Sequence, residues 1–251
     1  MAKSNDKKSL PDSSMSLGEH LEELRARLIL ALLGIGICAV ASFFFSPKII
    51  NLLEKPYLLV SETDTLQTLG PAEGFISFMK ISIVTGLIVA SPWVFYQLWM
   101  FIAAGLYPHE KKYVHIAAPF SAALFVAGAL FFMLVVAPLT IKFLVGFNER
   151  ILGVKSEFRF QDYIAFVTRL MLVFGLAFQT PCAIFFLNRT NIVSRRALSK
   201  SRKYILLAVF VLAAMATPPD VISQVTLAVP LYLLFELGLI LCYIFNRPRK
   251  K

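Results

Sequence analysis

Charge is scarce in this chain. Only 16% of its 251 residues are Asp, Glu, Lys or Arg, against roughly 25% in a soluble domain. Acidic residues are the scarcer kind, at 15 against 25 Lys and Arg, which leaves a net charge of +10. Cysteine occurs three times, as Cys38, Cys182 and Cys242, each inside an apolar block and without metal-ligand spacing. Neither a disulfide framework nor a metal centre is implied, and each thiol acts as a small hydrophobe. Glycine (12) and proline (13) are too few for a low-complexity or collagen-like chain. The three histidines, His20, His109 and His115, belong to no HExxH, paired-Asp or Ser-His arrangement, and there is no nucleotide-binding loop. The chain is therefore not expected to be an enzyme or to carry a cofactor. Hydrophobic residues, by contrast, make up 58% of the sequence and give a mean hydropathy of +0.72. They gather in blocks long enough to cross a bilayer, so an all-α, polytopic membrane protein is expected. Its positive charge then belongs to loops on one side of the membrane and to contact with anionic lipid, rather than to nucleic acid.

Residues 1–16 form a polar tail, 17–245 one membrane domain, and 246–251 a basic tail. The first apolar run starts late and no small-residue cleavage site follows it, so no cleaved signal peptide is expected. Ser16 and Glu19 fit a capping box, and Leu17, Leu21, Leu24 and Leu28 follow at helical spacing. A short amphipathic helix running into the membrane is the expectation. A helix needs about 20 apolar residues to cross a hydrocarbon core of about 30 Å. Six candidate spans emerge at 28–45, 75–100, 116–141, 163–187, 204–216 and 221–245. The fifth spans only about 20 Å at 1.5 Å per residue and stops at Thr217-Pro218-Pro219-Asp220, so the last two spans form a short hairpin. Lys and Arg in the connections number 17 on the side of both termini and 6 on the other. The positive-inside rule places both termini in the cytoplasm. No convincing internal repeat relates the two halves.

On so basic a face the carboxylates are informative. Glu19, Glu22 and Glu23 cluster in His20-Leu21-Glu22-Glu23-Leu24-Arg25-Ala26-Arg27. Glu23 can pair with Arg27 at i,i+4, worth about 0.2–0.5 kcal/mol to the helix; alternatively, one of these carboxylates receives a cationic ligand. A second cluster runs from Tyr96 and Trp99, residues suited to an interfacial belt, through Phe101 to the turn Tyr107-Pro108-His109-Glu110. Two carboxylates at one membrane surface beside aromatic rings suit guanidinium groups, which bind carboxylates bidentately and stack on rings. Within the spans, Gln179 precedes Pro181, which should kink the fourth helix. Glu236 lies deep in the sixth span, and Asp220 is placed to cap its start. Arg169 is near enough to its helix end to snorkel.

The segments around His20–Arg27, Trp99-Met100-Phe101 with His109-Glu110-Lys111-Lys112, Phe178-Gln179-Thr180-Pro181 and Thr217-Pro218-Pro219-Asp220 occur in this order. Together they resemble the TatC family, the multi-spanning subunit of the twin-arginine protein translocase, over nearly all of 17–245. The resemblance implies a cupped bundle of six tilted helices that receives signal peptides with two consecutive arginines and exports folded proteins. It implies that Glu23 and Glu110 receive the arginines, that Phe101 shapes the site, and that His20 and Arg25, with Glu19 beside them, support it. Pro56 matches a proline of the first outer loop, and Glu73 lies near the close of that cap. Thr217 and Gln224 match a polar edge at the fifth helix where small single-span subunits of the TatA/TatB type dock; Asp220 and Glu236 are grouped with them as partner-facing or intramembrane polar residues. The implied setting is an oligomeric complex in a bacterial-type inner membrane. One departure is Gln179, where the family often has glutamate; it implies a polar-contact role rather than proton transfer. The rival reading is an ion-coupled secondary transporter using Glu236 and Arg169.

Overall fold

In hydrocarbon each backbone N–H must find a carbonyl within its own segment, so the apolar blocks fold as helices. The computed structural model describes residues 17–60, 66–105, 112–153, 158–190, 192–216 and 221–245. Helix α1 covers Leu17–Leu58 and α2 covers Glu73–Ala104. The third span is α3 (Lys112–Phe131), a π turn (Phe132–Val136) and α4 (Ala137–Phe147). The fourth is α5 (Phe160–Ala177) followed by α6 (Thr180–Arg189). A short α7 (Arg195–Lys200) precedes the closing pair, α8 (Arg202–Ala216) and α9 (Val221–Phe245). Five stretches among the described residues are long and apolar enough to cross a membrane. The sixth, α8, has 15 residues, about 22 Å of helix, which is the short hairpin arm expected from the sequence.

Prolines mark the breaks, but not always as expected. Pro138 has no N–H and crowds the carbonyl four residues earlier; the chain answers with the π turn, in which the N–H of Ala137 reaches the carbonyl of Phe132. Pro181 does the same to the fourth span, which breaks at Phe178-Gln179, as its position predicts. Pro47 and Pro56, however, lie inside α1. The assignment of Pro56 to an outer loop is therefore corrected: it is buried in the last turns of a helix that runs well past position 45. Surrounding helices make such prolines tolerable by holding the freed backbone groups in a packed setting. A second π turn, Asn148–Leu152, ends at Gly153, whose φ of +65° is strained for any residue with a Cβ.

The starts of α1 and α3 and the ends of α2, α6 and α9 share one face of the bundle. His20 stacks on Phe101, Trp99 meets Phe186, and the Cys242 thiol lies 3.6 Å from the carbonyl of Ile184. The opposite face joins the end of α1 to the start of α5, where the Tyr163 hydroxyl donates to the carbonyl of Leu53 at 2.6 Å. Between the faces, Ile81, Phe132, Ile164, Val167, Leu170 and Phe174 are fully buried and hold α2 through α5 together. Most of α1 instead turns large apolar side chains outward, Leu32, Leu33, Ile37 and Phe44 among them. In a hydrocarbon solvent such exposure carries no penalty.

Candidate functional site

The terminal face carries the expected carboxylate. Glu23 lines an open pocket of about 210 Å³ with Met100, Ala103 and Ala104 at the end of α2 and Val114 and His115 at the start of α3. Glu23 and His115 are its polar lining, and Met100, Ala103, Ala104 and Val114 its apolar lining. Glu23 is also paired: Arg27 Nε donates to its Oε1 at 2.7 Å, one helical turn on. Arg27 Nη1 continues to Oε1 of Gln97 at 3.0 Å, tying α1 to α2. The i,i+4 pairing of Glu23 with Arg27 is thus present, and the carboxylate retains acceptor sites beyond the one that Arg27 uses. His20 and Phe101 stand together at the rim, their rings stacked with centroids 4.6 Å apart and planes 26° apart. Glu19, Glu22 and Arg25 are exposed on the same helix. Glu110 and His109 lie outside the described residues, as do Thr217, Asp220 and Ser16.

Two residues were missed by the sequence reading: His115, which lines the pocket, and Gln97, which holds Arg27, the partner of Glu23. Gln97 is buried within an apolar helix, and its partner stands 70 positions away, so only a polar residue amid Phe95, Leu98 and Trp99 hinted at it. His115 was noted only as a histidine outside any catalytic arrangement. A third residue was misread. Trp99 is no belt residue: it is buried, packs on Phe186, and donates to Ser121 Oγ at 2.9 Å. It shares the buried side of α2 with Phe95 and Ala103 at i±4, and helix phase overrides the interfacial preference of indole.

Gln179 serves the bundle itself. Its Nε2 donates to the backbone carbonyl of Ser121 at 2.8 Å, beside the Ser121 hydroxyl that meets Trp99 and lies 3.5 Å from the Cys182 thiol. The break before Pro181 positions this amide to tie the α5–α6 elbow to α3. A glutamate could make this bond only when protonated. Gln179→Leu is expected to lower stability in detergent by about 0.5–2 kcal/mol, the range for one interhelical hydrogen bond in a membrane, as read by thermal unfolding.

Gln224, Glu236 and Glu73 are also engaged internally. Gln224 Nε2 donates to the carbonyl of Phe210 at 3.0 Å, pinning the α8–α9 hairpin. Glu236 accepts from Arg202 at 2.9 Å and from the Tyr232 hydroxyl at 2.8 Å; it is anchored toward the terminal face rather than isolated. Arg169 is exposed on α5, as snorkelling requires. On the opposite face, Glu73 is buried and forms an ion pair with Arg159. The carboxylate pushes the Arg159 guanidinium above its ordinary value. Gln67 exchanges backbone hydrogen bonds with Phe158 and Phe160, so the two long connections close on each other at Glu73.

Comparison with known proteins agrees with this layout. The family profile described as "Sec-independent protein translocase protein (TatC)" matches residues 19–230. A protein of that name from Aquifex aeolicus is 37% identical, over 94% of this chain and 98% of its own length. One from Desulforapulum autotrophicum is 33% identical, over 92% of this chain and 85% of its own. A crystal structure described as the twin arginine translocase receptor TatC superposes with a TM-score of 0.82 at 36% identity, covering 91% of this chain and all of that one. With the match reaching from the Glu23 helix to the middle of α9, the chain belongs to the TatC family of Sec-independent protein translocase proteins.

Proposed function

We propose that this chain is the signal-peptide receptor and core subunit of a twin-arginine translocase, moving folded proteins across a bacterial inner membrane. The observation that carries the reading is the Glu23 pocket: an acid on the cationic face, open to solvent, with an apolar wall against it. One exposed ion pair is worth only about 0–1 kcal/mol. A shielded carboxylate between apolar side chains strengthens a charge-assisted bond and penalises a donor that fits it poorly. Guanidinium satisfies such a site with two N–H groups in a fixed fork, whereas ammonium offers a point charge. Glu110 is the second acid in this reading. His20, Phe101 and Arg25 shape the rim, and the apolar stretch of the signal peptide adds affinity along the outward-facing side chains of α1.

Both termini and the pocket face the cytoplasm in this reading, supported by 17 Lys and Arg on that side against 6 on the other. The single-span subunits of the TatA/TatB type pack along the α8–α9 hairpin, whose outer side chains Leu207, Val211, Leu212 and Met215 are exposed. Several copies assemble in one complex. Glu23→Ala combined with Glu110→Ala is expected to weaken a peptide carrying paired arginines by tenfold or more, about 1.4 kcal/mol, and to erase its advantage over the lysine counterpart. Fluorescence binding and photocrosslinking from positions 23, 101 and 110 measure this. Unchanged crosslinking in the double variant refutes the assignment.

A further inference from the structure

We infer that Arg27 is a resident competitor for the Glu23 carboxylate, and that Gln97 is the seat that keeps it when an incoming guanidinium takes its place. The inference rests on the reading that Glu23 receives a signal-peptide arginine. Arg27 holds Glu23 through Nε and Gln97 through Nη1, at 2.7 and 3.0 Å. These are two separate donors of one planar group with five N–H bonds, so the Glu23 bond can open while the Gln97 bond stays closed. The two acceptors also differ in setting. Gln97 is 2% exposed and fixed in α2, whereas the Glu23 and Arg27 side chains are 29% and 25% exposed and Glu23 faces the pocket. The solvent side of the pair is its weak side.

The empty receptor therefore already contains a guanidinium on the carboxylate that is to bind one. A ligand must replace a charge-assisted hydrogen bond rather than fill a vacancy. An ammonium exchanges one such bond for another of poorer geometry. A guanidinium presenting two parallel N–H groups exchanges one bond for two. In a simple competition the resident weakens every cationic ligand by the same factor. It leaves the arginine-to-lysine ratio alone but lowers absolute affinity, so that only the better ligand stays bound. Gln97 reduces the cost of displacement, because the released arginine keeps a buried acceptor. Arg27 and Gln97 thus set the threshold of the site, as positioning residues that act through Glu23.

The test uses the full chain in lipid nanodiscs with a fluorescent peptide carrying two consecutive arginines and its two-lysine counterpart. Arg27→Gln is expected to tighten both peptides by about threefold to tenfold, the factor for losing one competing hydrogen bond of ordinary net strength at a partly exposed pair. A purely structural Arg27 gives the opposite sign. Arg27→Lys keeps the charge but lacks the fork, and tightens binding by a smaller factor of about two. Gln97→Met weakens the arginine peptide by about threefold, an effect that disappears in the Arg27→Gln background. Weaker or unchanged binding in Arg27→Gln overturns the inference. So does Arg27→Lys that matches the native chain while Arg27→Gln tightens, because charge alone then explains the gain. Should Glu23→Gln leave arginine-peptide binding intact, the underlying site assignment falls too; should it weaken binding while Arg27→Gln does not tighten it, only the competitor role falls.

Discussion

Gly86→Val is expected to abolish the folded protein. A Cβ at position 86 would sit 2.4 Å from the Cα of Ala39 and 2.5 Å from its backbone nitrogen. Carbon atoms need about 3.5–4.0 Å, and here the obstacle is backbone, which cannot rotate aside. The two helices would have to move apart at this crossing. In membranes helix association relies on close packing, so small residues at the crossing are what bring α1 and α2 together. Their separation would also break the Ser46–Ser82 hydroxyl contact of 2.6 Å and the bond from Arg27 to Gln97, so the carboxylate site would lose its scaffold. Overpacking by one methyl costs about 1–3 kcal/mol in a soluble core. Gly86→Ala already carries the clashing Cβ and should reach the top of that range or pass it, and Gly86→Val should exceed the stability available. Size-exclusion profiles and thermal unfolding in detergent measure this. Gly36→Val is the control, because a Cβ there meets nothing within 4 Å. If Gly86→Val behaves like Gly36→Val, the close crossing of α1 and α2 is not what holds the first two spans together.

The parts of this molecule that were legible in the sequence are those that the solvent dictates. Hydrocarbon demands long apolar helices, so the spans were readable from composition, and the short α8 from the prolines that stop it. The Glu23–Arg27 pair was readable because helix geometry alone places i and i+4 side by side. Contacts between helices were not readable. Gln97 reaches Arg27 across 70 positions and Arg159 reaches Glu73 across 86; no local pattern encodes such a pairing before helix registers are known. Trp99 shows how a residue-type preference misleads: indole favours the interface, yet its phase with Phe95 and Ala103 turns it inward. That phase was present in the sequence and is the signal that would have corrected the reading. Gln179 was given a polar-contact role without a partner and Gln224 a place on a docking edge, and their amides bond Ser121 and Phe210 of the chain itself. A half-buried amide takes a nearby carbonyl, which α3 supplies to Gln179 and α8 to Gln224.

Lengthening α8 by two turns is expected to eliminate export while leaving signal-peptide binding intact. The helix has 15 residues, about 22 Å against a hydrocarbon core of about 30 Å. A span that short thins the bilayer or recruits neighbours, at a modest cost per ångström of mismatch. Only Val209, Ala213 and Ala216 of α8 are buried, while Tyr204, Leu207, Leu212 and Met215 face outward, so its length is presented directly to the surrounding membrane. We propose that the deficit locally lowers the barrier to passage when the single-span subunits assemble along this hairpin. Seven added apolar residues restore about 10 Å and remove the mismatch. The Glu23 pocket is built from α1, α2 and α3 and does not include α8, so peptide affinity should hold within a factor of about two. Transport of a folded reporter into inverted vesicles, run beside peptide binding on the same variant, separates the two steps. Export at the native rate from the lengthened protein would show that the short helix is only a packing economy of the hairpin. Loss of peptide binding along with export would mean that the extension had disturbed the fold, and an insertion of the same length as a polar linker before Arg195 would then serve as the comparison for chain length without added span.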